Sequence, residues 1–180
     1  MTEITSLSKR IHCRLDLMKK YSRDEQRELA TWAADCAERV LPFFESAYPG
    51  DERPKNAVDL CRRWIQTGSF SMTEIRGASL GAHAAARGAE ANSAALYAAG
   101  AAGHAVATAH VPQHAYGAAY YAFKAFAAAD PANAQASVTR EYEWQTRQIP
   151  EHLREEMMAG IIIRSNPRGV SITIDRKGDF

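Results

Sequence analysis

Six side chains able to bind ligands or move protons stand in text that is otherwise mostly alanine and glycine: His83, Arg87, His104, Thr108, His110 and His114. His110 and His114 are four apart, close enough on one helical face to share a metal ion. Pro112 falls between them and weakens that spacing. No cysteine or carboxylate lies nearby to complete a shell, and the HExxH pattern is absent, so neither a metal nor a cofactor is expected. His83 and Arg87 are also four apart, as are His104 and Thr108. An arginine on an alanine-rich helix face needs a partner once buried. Asp35 and Glu38, next to the further candidate Arg39, offer carboxylates for that purpose. The expectation is a buried polar network joining Asp35 or Glu38 to Arg87, His83 and His104, serving as structural glue or as a ligand site. No G-x-S-x-G elbow, activated cysteine motif or phosphate-binding loop is present, so no catalytic residue is assigned.

The elements that must position these groups read as helices. No charged residue stands between Glu90 and Lys124, and nearly half of the residues from Gly77 to His110 are alanine. Alanine has the highest helix propensity, and a helix uncharged all round has no face prepared for water, so it must be surrounded. Helices over about 71–89 and 92–110 are therefore expected at the centre of the bundle. Ahead of them, Ile4, Leu7, Ile11, Leu15 and Met18 mark an amphipathic first helix. Ser22 and Glu25 form a capping box opening a helix to about Tyr48, kinked at Pro42. Asp51 and Pro54 start the next helix, which stops at Gly68, and Ser71 with Glu74 starts another. Asn92 or Ser93 caps the helix running to His110. Pro112 either kinks it or divides it from a segment over Gln113–Ala129. Asp130-Pro131 opens a helix ending before Pro150, with a short piece over Glu151–Met158. Val170, Ile172 and Ile174 then alternate with polar residues, and Asn166-Pro167-Arg168-Gly169 reads as a turn, giving a β-hairpin over Ile161–Asp175. The fold class is all-α, an alanine-rich bundle of six to seven helices over 1–158 with a small hairpin appendage over 159–180.

Composition narrows the partners. A net charge of +1 gives no general field for nucleic acid, and the basic residues Lys9, Arg10, Arg14, Lys19, Lys20 and Arg23 read as a solvated stripe. Alanine and glycine give too little transfer energy for a membrane span, mean hydropathy is negative, and no signal peptide is visible at the start. A cytoplasmic location follows as the expectation. Cys13, Cys36 and Cys61 are far apart and odd in number, which fits reduced thiols.

Several segments resemble one bacterial family, the immunity proteins of the immunity protein five-like group. They are WAADCAERVLPFFE at Trp32–Glu45, RPKNAVDLCRRW at Arg53–Trp64, GAHAAARGA at Gly81–Ala89, AAGHAVATAHVPQHAYGAA at Ala101–Ala119 and EYEWQTRQIP at Glu141–Pro150. The resemblance covers about 24–153. It implies an all-helical protein that neutralises a cognate toxin by stoichiometric binding, and it carries over no catalytic residue. The rival reading is a small-molecule binder or enzyme with a pocket between the helices at 71–89 and 92–110, lined by His83, Arg87, His104 and His114. The hairpin, with its unpaired strand edges, is expected to mediate a homodimer.

Overall fold

The computed structural model describes residues 21–166 and 169–174. The helix expected over 4–18, the basic residues Lys9 to Lys20, Cys13, the turn residues Pro167 and Arg168, and Asp175 lie outside the described residues. Helix α1 spans Arg23–Ala47. Its start is the expected capping box: the Ser22 hydroxyl accepts from the Glu25 amide at 3.1 Å and the Glu25 carboxylate accepts from the Ser22 amide at 2.7 Å. The helix continues through Pro42, which faces water.

Helix α2 covers Arg53–Thr67 and ends at Gly68, whose φ of 67° is the left-handed cap that glycine adopts without strain. Glu52 holds the capping position without a side-chain bond, and the Asp51 carboxylate accepts from the first-turn amide of Arg53 at 3.2 Å while also gripping the Arg53 side chain. Helices α3 (Met72–Gly88) and α4 (Ser93–Ala107) begin under the side chains of Ser71 and Asn92. The latter helix stops short of the expected His110. Its last turns tighten as the amides of Ala109 and His110 reach back only three residues, to Val106 and Ala107, and Pro112 then separates it from α5 (His114–Ala129). A short 3-10 turn at Pro131–Asn133 leads into α6 (Ala134–Gln148), α7 (Glu151–Ala159) and the strands β1 (Ile161–Asn166) and β2 (Gly169–Ile174).

Helix α4, with no charged residue, is enclosed by α1, α2, α3 and α5 and buries ten residues, nine of them alanine or glycine and the tenth Val106. Small side chains allow that many neighbours to approach one helix. The expectation that the preceding helix is equally central is corrected. Helix α3 packs chiefly on α2 and α4 and buries Ile75, Ala82, Ala85 and Ala86, while Arg76, Leu80 and Arg87 on its outer side meet water.

The strands pair antiparallel, Ile161 opposite Ile174 through Asn166 opposite Gly169. Val170, Ile172 and Ile174 point inward in alternation, and the ribbon docks on α5 and α6. Its apolar face is thus covered by its own bundle, and among the described residues no third strand joins either edge. No described helix is long and apolar enough to cross a membrane.

Candidate functional site

Four of the chain's six histidines form a continuous row of rings. His83 on α3 meets His104 on α4 edge to face, centroids 4.9 Å apart. His104 meets His114, the first residue of α5, at 5.4 Å, and His114 meets His110 in the α4–α5 connection at 5.3 Å. The Nδ1 atoms of His104 and His114 lie 3.3 Å apart, so one ring donates and the other accepts, which fixes opposite tautomers while both are neutral. Tyr121 on α5 stacks on the His104 ring at 5.3 Å. Local sequence makes the room. A Cβ on Gly117 would lie 2.5 Å from Cγ of His104, and one on Gly103 would lie 2.9 Å from Nε2 of His83.

Burial keeps these rings neutral. It lowers the pKa of His104 to about 3, with the neighbouring His83 and His114 acting in the same direction. Burial also lowers His83, helped by Arg87, and lowers His114, helped by His110 and His83. His110 is lowered by burial and by Arg76, against a bond to the Ala107 carbonyl that favours its charged form. Among the described residues no carboxylate hydrogen-bonds to any of the four rings, and no three His, Cys, Asp or Glu side chains are placed to hold a metal ion. The row can store or pass a proton, but only against desolvation.

At its α3 end the row opens into a surface groove of about 230 Å³ lined by His83, Arg87, Glu90, Leu96, Gly100 and Tyr121. His104 and His114, expected to line this pocket, lie behind that wall instead.

The expected network from Asp35 or Glu38 to Arg87 is not formed. Arg62 on α2 binds both carboxylates, Glu38 through Nε at 2.8 Å and Asp35 through Nη2. These two contacts, together with the Coulomb attraction of both acids, hold its guanidinium firmly charged. Arg87 is exposed and has no ion-pair partner among the described residues. The helix that carries it is peripheral, so the arginine is solvated rather than buried. Thr108 is fully buried, yet its hydroxyl donates to the His104 carbonyl, a bond within the helix end and not to the rings. Arg39 belongs to a different cluster. Its Nε donates to Glu141 at 2.9 Å, and its guanidinium lies 4.0 Å over the ring of Trp144. Glu141 also accepts from Gln145 at 3.0 Å, whose own backbone carbonyl accepts from the Trp32 indole.

Sequence reasoning missed Glu141, Gln145 and Tyr121. The four-residue spacing of Glu141 and Gln145, both facing the apolar side of α6, was the available signal.

A bundle with an alanine-rich central helix, and a row of histidines shared between that helix and its neighbours, places the chain among helical-bundle proteins with a built polar core. The chain belongs to the family described as Imm-5 like putative immunity protein, whose model matches residues 19–152. That span holds all four histidines and excludes the hairpin. Neither a search of curated proteins nor a search of solved structures finds a match.

Proposed function

We propose that this chain neutralises a toxin by binding it one to one, without catalysis. Family membership supports the toxin as partner. The observation that carries the binding mode is the placement of exposed apolar side chains. Phe70, Met72 and Leu80, the last 61 % exposed, are three of the four large hydrophobic residues open to water among the described residues, and all lie at the entry to α3 or on its outer side. Clustered apolar groups on an otherwise polar surface mark protein contacts. Arg76 and Arg87 flank Leu80 on the same helical side, giving an apolar centre with a charged rim.

The test is co-expression with each toxin candidate encoded beside this chain's gene, followed by isolation of the complex. A 1:1 complex that restores growth is expected, and Leu80→Asp should weaken it at least about tenfold. Full protection by Leu80→Asp together with unchanged binding would remove the assigned face.

A second reading has one observation in its favour, the groove beside His83. Arg87 and Glu90 put opposite charges on its rim, with Tyr121 as an aromatic wall, the composition of a site for a small polar ligand. Non-denaturing mass spectrometry of the protein purified from its native cells tests it: a bound mass lost in Tyr121→Ala supports a ligand, and an unliganded mass rejects it.

The homodimer expected through the hairpin has lost one of its two motives, because the apolar face is docked. It now rests on the open strand edges alone.

A further inference from the structure

We propose that the row His83–His104–His114–His110 is an acid-operated latch: neutral, it seats the C-terminal half of α3 on α4 and α5; once neighbouring rings are charged, that half lifts away. The geometry leaves charge no other outlet. Each ring touches the next at 4.9–5.4 Å, so imidazolium ions in the row repel one another at short range.

The groups facing the row add to this repulsion. From α3 come Arg87 beside His83 and Arg76 beside His110, both positive. From α4 comes His104 alone, and from α5 His114 and Tyr121. Helix α1 presents the neutral amide of Gln26, bonded to the carbonyls of Thr108 and Ala109. Helix α2 presents the Cys61 thiol, bonded to the Ala105 carbonyl. Glu90, at the exposed rim of the groove, is the one carboxylate lining that end. Burial opposes charging in all four rings, so protonation and exposure to water must occur together.

Helix α3 is the part that gives way. Its single large buried side chain, Ile75, sits at its far end, and its C-terminal half is held by Ala82, Ala85, Ala86 and the His83 ring. His104 and His114 sit on α4 and α5, the most extensively packed pair in the bundle. Separating α3 therefore hydrates His83 and His104 while uncovering little but methyl groups. Because Leu80 rides on the same helix, acid would also disturb the proposed toxin-binding face. That consequence rests on the proposed function, whereas the latch itself is tested without any toxin.

The experiment is hydrogen exchange on the full chain at about pH 7 and about pH 4.5, with rates corrected for the intrinsic effect of pH. Protection over residues 82–92 should fall more than about tenfold further than protection over α6. His83→Gln removes the charge that α3 contributes to the row and should abolish this excess. His114→Gln, which breaks the row at another link, is the second variant should the first fold poorly, and should reduce the excess. A uniform loss across α3 and α6, no loss at all, or an unchanged excess in both variants overturns the latch. Zinc chloride at neutral pH should leave exchange unaltered; protection gained over residues 83–114 would instead make the row a metal site and reject the proposal.

Discussion

Replacing Arg39 by methionine should destabilise this chain by about 3 kcal/mol, whereas Glu141→Gln should cost no more than about 1 kcal/mol. The asymmetry comes from where the two charges sit. The Glu141 side chain is 1 % exposed and that of Arg39 is 36 % exposed. Burial raises the Glu141 pKa above the usual carboxylate value, while Gln145 and Arg39 work to lower it. Without Arg39 the carboxylate stays buried with only the Gln145 amide as donor. Breaking a buried pair from one side costs roughly 3–5 kcal/mol, and partial solvation of Arg39 puts this case at the lower end. Without the Glu141 charge, Arg39 still lies over Trp144 and reaches water, so little beyond one hydrogen bond is lost.

Acid should bring the two variants closer together. A folded-state pKa raised above the unfolded one means that the native state holds more protons in the window just above the ordinary glutamate value. Stability contributed by Glu141 therefore falls as pH rises through that window and is recovered on acidification. Removing Arg39 enlarges the shift, so the deficit of Arg39→Met relative to the parent chain should shrink between about pH 7 and about pH 5.5. Urea unfolding followed by far-ultraviolet circular dichroism at both pH values measures it, and comparison with the parent cancels every other titrating group. Equal losses in the two variants, or a deficit that grows on acidification, would refute the reasoning.

His104 carries the opposite sign. Its pKa falls from 6.5 to about 3 on folding, so its stability is complete above the unfolded value and is lost as pH drops; at 1.36 kcal/mol per unit, about 5 kcal/mol is at stake by pH 3, readable as a falling urea midpoint that His104→Gln flattens. Arg87→Ala should leave the melting temperature within the range of ordinary surface changes, about 0.5 kcal/mol, since its side chain is solvated. Light scattering at micromolar concentration should give a monomer mass, because the hairpin's apolar residues are already covered; a dimer lost on deleting residues 160–180 would restore the edge-paired homodimer.

The helical architecture was legible because its signals are local. The capping box at Ser22, the stop at Gly68 and the proline breaks each act within one turn of chain. The enclosed position of α4 also followed, since an uncharged helix has nowhere else to go. Partner choice was not legible. Arg62 and Arg87 both look able to neutralise Asp35, and only the packing of α2 against α1, with α3 displaced outward, selects Arg62. The structure brings His83, His104 and His114 together, but their order along a row depends on the turn after Ala107. Arg39 was assigned to the wrong cluster because Glu141 is 102 residues away and no periodicity links them.

The glycines argue that the row is built rather than incidental. Ala115, Ala118 and Ala119 stand beside Gly117 in the same helix, and glycine within a helix is less favourable than alanine by roughly 0.5–1 kcal/mol. The nearest atoms a Cβ on Gly117 would meet are all in the His104 ring, not in a neighbouring backbone, so the residue is small to seat that ring and not to bring helices together. The ring cannot swing aside, being held between His83, His114 and Tyr121. Gly117→Ala alone should therefore destabilise by about 1–3 kcal/mol through overpacking. In a His104→Ala background the clash is gone and the helix propensity of alanine remains, so the same substitution should stabilise by up to about 1 kcal/mol. Thermal unfolding of the four proteins completes a double-mutant cycle whose sign reverses. If Gly117→Ala is destabilising to the same extent in both backgrounds, the glycine serves backbone approach and the histidine row loses its claim to be a built feature.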